Sequence, residues 1–126
     1  VFGYGVLLQL IDDLQDVGED RECGHSTPFS RAVWIGNLDS ITNRLFHFMR
    51  GTVAIMNARC GAGRPWLPPL IEQSCTALIM EAIARYQGFY SEEYLRMMEV
   101  HMPMHRSYFG SVRKKMKRRY AGAGVR

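Results

Sequence analysis

Apolar residues recur three, four and seven positions apart along most of this chain, the spacing of one buried helix face, so the sequence reads as helices and little else. A first helix is predicted over residues 2–18 or slightly beyond, with Val6, Leu7, Leu8, Leu10, Ile11, Leu14 and Val17 on its apolar side. Gly3 and Gly5 weaken its start, or leave room for a neighbouring helix or a bound chain. Gly18 and Gly24 bracket a charge-rich loop expected to end it. Ser26-Thr27-Pro28 is a start signal, hydroxyl caps followed by proline at the first turn. The helix it opens should run over 28–50, or on to 58 with a break near Gly51. Phe29, Val33, Trp34, Leu38, Ile41, Leu45, Phe48 and Met49 fit its buried face, and the lone His47 lies on or beside that face.

Cys60-Gly61-Ala62-Gly63-Arg64-Pro65 reads as a loop, without the pattern of a phosphate-binding glycine turn. A third helix follows over 69–90, lined by Leu70, Ile71, Cys75, Leu78, Ile79, Ala82, Ile83 and Tyr86, with Gly88 as a breaker. Ser91 should cap a fourth helix whose first turn carries Glu92 and Glu93, where the helix dipole favours them. Pro103 divides it from a last helix over 104–120. The methionines Met97, Met98, Met102 and Met104 suit adaptable core packing.

Length and composition narrow the class. The 126 residues allow one domain at most, expected over 1–120 with 121–126 as a flexible tail, and a 47% hydrophobic content is ordinary for a globular core. Cys23, Cys60 and Cys75 are odd in number and lack CxxC spacing, which favours reduced thiols in a cytoplasmic setting over a disulfide framework. No apolar run is long enough to predict a membrane span.

Charge then singles out one stretch. Residues 9–25, QLIDDLQDVGEDRECGH, hold Asp12, Asp13, Asp16, Glu19, Asp20 and Glu22, half of the 12 acidic residues in a chain of net charge +4. Asp12, Asp16 and Asp20 fall at i, i+4 and i+8, one helical turn apart on one face. Carboxylates about 6 Å apart repel by roughly 0.7 kcal/mol in water and roughly 3 kcal/mol at an effective dielectric near 20. A solvated ladder therefore costs little, whereas a cleft-bound one needs a cation. A hard divalent ion suits it, since Mg²⁺ is held by one or two carboxylates plus substrate phosphates. An acidic helix end running into a loop is the other reading of the same residues.

The run Gln9-Leu10-Ile11-Asp12-Asp13-Leu14-Gln15-Asp16, followed by Gly18, Asp20, Gly24 and His25, resembles the second aspartate-rich motif of the class I isoprenoid synthases. In the trans-prenyltransferase branch that motif reads FQxxDDxxD, with GD and GK after it. The spacing also fits the DxxxD of squalene and phytoene synthases and, loosely, the terpene cyclase pattern. The chain is most similar to bacterial class I isoprenoid biosynthesis enzymes carrying an LLQLIDDLQDVEED-like segment. That likeness extends to Tyr90-Ser91-Glu92-Glu93-Tyr94-Leu95 and to residues 105–117. His25 stands where the family has lysine, and no second acidic cluster is present in the sequence.

The resemblance implies an all-α fold, an antiparallel helical bundle forming the C-terminal part of an isoprenoid synthase domain whose first acidic motif lies upstream. It implies Mg²⁺ held by Asp12, Asp16 and Asp20, with Asp12 and Asp16 catalytic. Gln9, Asp13 and His25 fall on the substrate side, Gln9 and Asp13 as outer or water-bridging groups. The substrate would be an allylic prenyl diphosphate, ionised for prenyl transfer, condensation or cyclisation, and this portion alone is expected to be inactive. A non-catalytic helical domain, with an acidic surface helix and a basic tail, is the alternative. The basic residues Arg113, Lys114, Lys115, Lys117, Arg118 and Arg119 leave three readings open: a solvated helix end, a flap over a diphosphate, or peripheral contact with an anionic membrane. A homodimer is among the expected assemblies. No nucleic-acid partner is expected, since no motif for one is present.

Overall fold

A computed structural model describes residues 2–36, 38–60 and 63–101. The division expected at Pro103, the helix over 104–120, the methionines at 102 and 104, the basic run and the tail lie outside the described residues. Among the described residues the chain is all-helical, as expected, with no strand. Six α-helices follow in order: α1 (Phe2–Gln15), α2 (Val17–Cys23), α3 (Pro28–Trp34), α4 (Leu38–Cys60), α5 (Leu67–Arg85) and α6 (Glu92–His101), with a 3₁₀ turn at Gln87–Phe89 before the last. The chain divides into two compact units, one over 1–80 and one from residue 81 onward, with the boundary inside α5.

In the first unit α1 packs against α4 and α3, and α2 against α3. Leu7, Ile11, Leu14 and Val17 form an unbroken buried spine along α1 and α2. Phe29 and Ala32 of α3 and Leu38, Leu45, Phe46, Met49, Val53 and Met56 of α4 are buried as well. Burying side chains of this size stabilises by about 1.5–3 kcal/mol each, before the entropy of ordering them is counted. Gly3 faces Thr52, but a methyl group there would stand 3.8 Å away at ordinary contact distance, so the packing does not require a glycine.

Several boundaries differ from expectation. The stretch after Gly18 is not a loop: α2 carries the helix to Cys23, because glycine costs a helix only about 1 kcal/mol and does not forbid it. The break falls instead at Asp16, with φ −100° and ψ 10°. The helix predicted over 28–50 is two helices, parted at Ile35 and Gly36, where Gly36 takes φ +68°. That left-handed turn suits glycine and stops α3. Helix α4 then runs through Gly51 without a break. Trp34, expected on the buried face, is 71% exposed, and His47 is exposed rather than set into that face.

Both predicted caps form. Ser30 N–H donates to Thr27 Oγ1 at 3.1 Å and Thr27 N–H donates to Ser30 Oγ at 2.8 Å, a reciprocal capping box at the start of α3. Ser30 Oγ also donates to the carbonyl of His25 at 2.9 Å, tying the cap to the preceding loop. In the second unit Tyr94 N–H donates to Ser91 Oγ at 3.1 Å and opens α6. Tyr90 and Tyr94 stack with ring centroids 5.3 Å apart, and Tyr86 stacks on Phe89 at 5.7 Å.

Helix α5 begins earlier and ends earlier than expected. In its second half Ile79, Met80, Ala82, Ile83 and Ala84 are buried, while Leu70 and Leu78 of its expected apolar face remain exposed. Trp66, just before α5, is 60% exposed.

Candidate functional site

The acidic stretch spans α1, the break at Asp16 and α2. Two hydrogen bonds of α-helical type carry the register across the break: Asp16 N–H to Asp12 O at 3.0 Å and Asp20 N–H to Asp16 O at 2.8 Å. The i, i+4, i+8 ladder therefore survives in the backbone, although the three acids no longer belong to one regular helix. The buried spine holds the opposite side, so Asp12 and Asp16 fall on an exposed stripe that begins with Leu8.

The side chains diverge from one another in their surroundings. Asp12 and Asp16 are exposed. Asp20 is mostly covered, its side chain only 17% exposed, and it lies 3.4 Å from His25 Nδ1. The cause is the end of α2. Gly24 adopts φ +76°, and the N–H groups of both Gly24 and His25 donate to the carbonyl of Asp20. This closure folds the chain back one turn and sets the imidazole against the carboxylate. On the other flank Gln9 donates an amide N–H to Asp13 Oδ1 at 3.1 Å, an i, i+4 pair that orients a half-buried Asp13.

Of the residues assigned from the sequence, Gln9 contacts Asp13 and Asp20 contacts His25. Asp12 and Asp16 stand one turn apart on the exposed face. Among the described residues no three His, Cys, Asp or Glu side chains are grouped to hold a metal ion. Tested on the chemistry of its donors, the stretch fits part of a Mg²⁺ site: it offers hard carboxylate oxygens at helical spacing, and Mg²⁺ takes one or two of these with substrate phosphates completing its shell. Cys75 does not add a nucleophile, because burial raises its thiol above the usual 9.0 and keeps it protonated.

A second feature went unread in the sequence. An apolar cleft of about 210 Å³ opens among α1, α3 and α4, lined by Leu10, Pro28, Phe29, Ile41, Arg44, Leu45 and Phe48. Its lining on α4 had a signal: Arg44 interrupts the apolar stripe Ile41, Leu45, Phe48 at helical spacing. The Arg21 guanidinium lies over the Trp34 ring, 5.2 Å from its centroid, linking the end of α3 to α2.

No protein-family model, curated protein or solved structure matches this chain. No helix among the described residues is long and apolar enough to cross a membrane.

Proposed function

We propose that this chain carries the second acidic motif of a Mg²⁺-dependent enzyme acting on allylic prenyl diphosphates, by prenyl transfer, condensation or cyclisation. The observation that supports this reading is the helical hydrogen bonding through Asp16, which keeps Asp12 and Asp16 one turn apart on the face opposite a buried spine. Asp12 and Asp16 would hold the ion, with Asp20 as the third carboxylate of the ladder. Mg²⁺ held there would supply positive charge to the diphosphate oxygens. Asp13, fixed by Gln9, orients water or substrate at the flank. His25, held against Asp20, sets its imidazole at the same end of the motif. The resemblance places the complementary carboxylates on an upstream helix, so catalysis needs both motifs.

A second reading is a non-catalytic helical domain with an acidic surface helix. The exposure of Asp12 and Asp16 favours it. One assay separates the two. The complete protein is incubated with allylic diphosphates of several chain lengths, with and without Mg²⁺, and diphosphate release is measured. The enzymatic reading expects Mg²⁺-dependent release that Asp12→Ala abolishes. Full activity in that variant rejects the mechanism, and no release from the unaltered protein assigns the helix to the second reading.

A further inference from the structure

The geometry points to a second binding site, separate from the carboxylate ladder: the cleft among α1, α3 and α4 takes a medium-chain fatty acid, alkyl chain inward and carboxylate on Arg44.

The walls specify the chain. Phe29 and Leu45 are buried at the base, 1% and 3% exposed. Leu10 and Ile41 are half-buried and Phe48 is 39% exposed, so an apolar surface faces water at the opening. Covering such surface is favourable in proportion to the area removed from water. A methylene is close in size to a water molecule, which takes about 30 Å³ of liquid. The cleft of about 210 Å³ therefore holds about seven such groups, the alkyl length of octanoate.

Arg44 specifies the head. It lines the cleft yet is exposed, the behaviour of a side chain whose stem lies along an apolar wall while its guanidinium stays in water. It has no ion-pair partner among the described residues. Its planar fork matches one carboxylate through two parallel N–H donors. Among the described residues Arg44 is the only cation in the lining, which separates this cleft from a diphosphate site, where several charges must be met.

The test uses the whole protein and octanoate as the probe. Methyl resonances of Leu10, Ile41 and Leu45 are followed by ¹H–¹³C NMR while sodium octanoate is added, with octanol and inorganic phosphate run in parallel. Saturable shifts are expected with octanoate, and none at these methyls with phosphate. Octanol, and octanoate with Arg44→Gln, should each bind about fivefold more weakly, the modest factor reflecting an exposed guanidinium. Ile41→Trp, which fills the cleft from a half-buried position, should abolish the shifts while circular dichroism remains helical. Arg50→Gln and Asp12→Asn should leave the affinity unchanged, so failure here is distinct from failure of the diphosphate reading. Absence of saturable shifts, equal affinity for octanol and octanoate, or indifference to both Arg44→Gln and Ile41→Trp overturns the proposal.

Discussion

The helical path of the first unit is interrupted at Asp16 and again at Ile35–Gly36, and the two interruptions act differently. At Asp16 the backbone leaves helical ψ, but hydrogen bonds of the α type enter and leave the residue, so α2 resumes in the register of α1. At Gly36 the backbone crosses to positive φ, and Gly36 N–H donates to Val33 O at 3.2 Å, closing α3 instead of continuing it. A bend that keeps its ladder passes a side-chain pattern onward; a left-handed turn resets it. This is why Val17 can extend the spine begun by Leu7, whereas the end of α3 before the turn at Gly36 leaves Trp34 and Ile35 71% and 76% exposed.

Substitutions on either side can break this contrast. The largest effect is expected from Leu14→Ala. Leu14 is fully buried just before the Asp16 break, and its truncation should cost about 3 kcal/mol through lost burial and a residual cavity. Urea unfolding followed by circular dichroism measures it; a cost below about 1 kcal/mol would mean that the spine does not run through the break. Thr27→Ala removes one half of the capping box beyond Gly24 and should cost about 1–2 kcal/mol in the same assay.

Gly36→Ala comes next, at about 1 kcal/mol. A methyl group there meets nothing within 4 Å, so the cost is the left-handed backbone alone. A neutral or stabilising result would show that the turn does not need positive φ. The smallest effect belongs to Asp16→Ala, within about 0.5 kcal/mol, because Asp16 precedes α2 without a capping hydrogen bond from its side chain and its loss relieves repulsion along the ladder. A larger loss would reveal that the carboxylate holds the bend.

What was legible in the sequence follows the same division. The caps at Thr27 and Ser91 could be read because their chemistry closes within three residues. The spine Leu7, Ile11, Leu14, Val17 could be read because period alone specifies it. The split at Gly36 was hidden by an apolar period that runs on through Val33, Trp34, Leu38 and Ile41, although Gly36 itself was the signal. Leu70 and Leu78 show a further limit: an apolar stripe says which face seeks cover, not whether cover is present. In the acidic stretch the helical register was legible. The seating of His25 on Asp20 was not, since it depends on the left-handed turn at Gly24. The cleft beside Arg44 was legible only in its α4 wall, where Arg44 interrupts an apolar stripe; the gap itself depends on how three helices meet, which the spacing of one helix does not give.

The tryptophans carry a practical lesson for anyone who studies this molecule by light. Trp34 and Trp66 are its only two, and both sit largely in water. Their emission should already resemble that of an unfolded chain, so a melting curve drawn from it would stay nearly flat while the interior came apart. Ellipticity, or the near-ultraviolet signal of the stacked Tyr90 and Tyr94, is the honest witness to unfolding here.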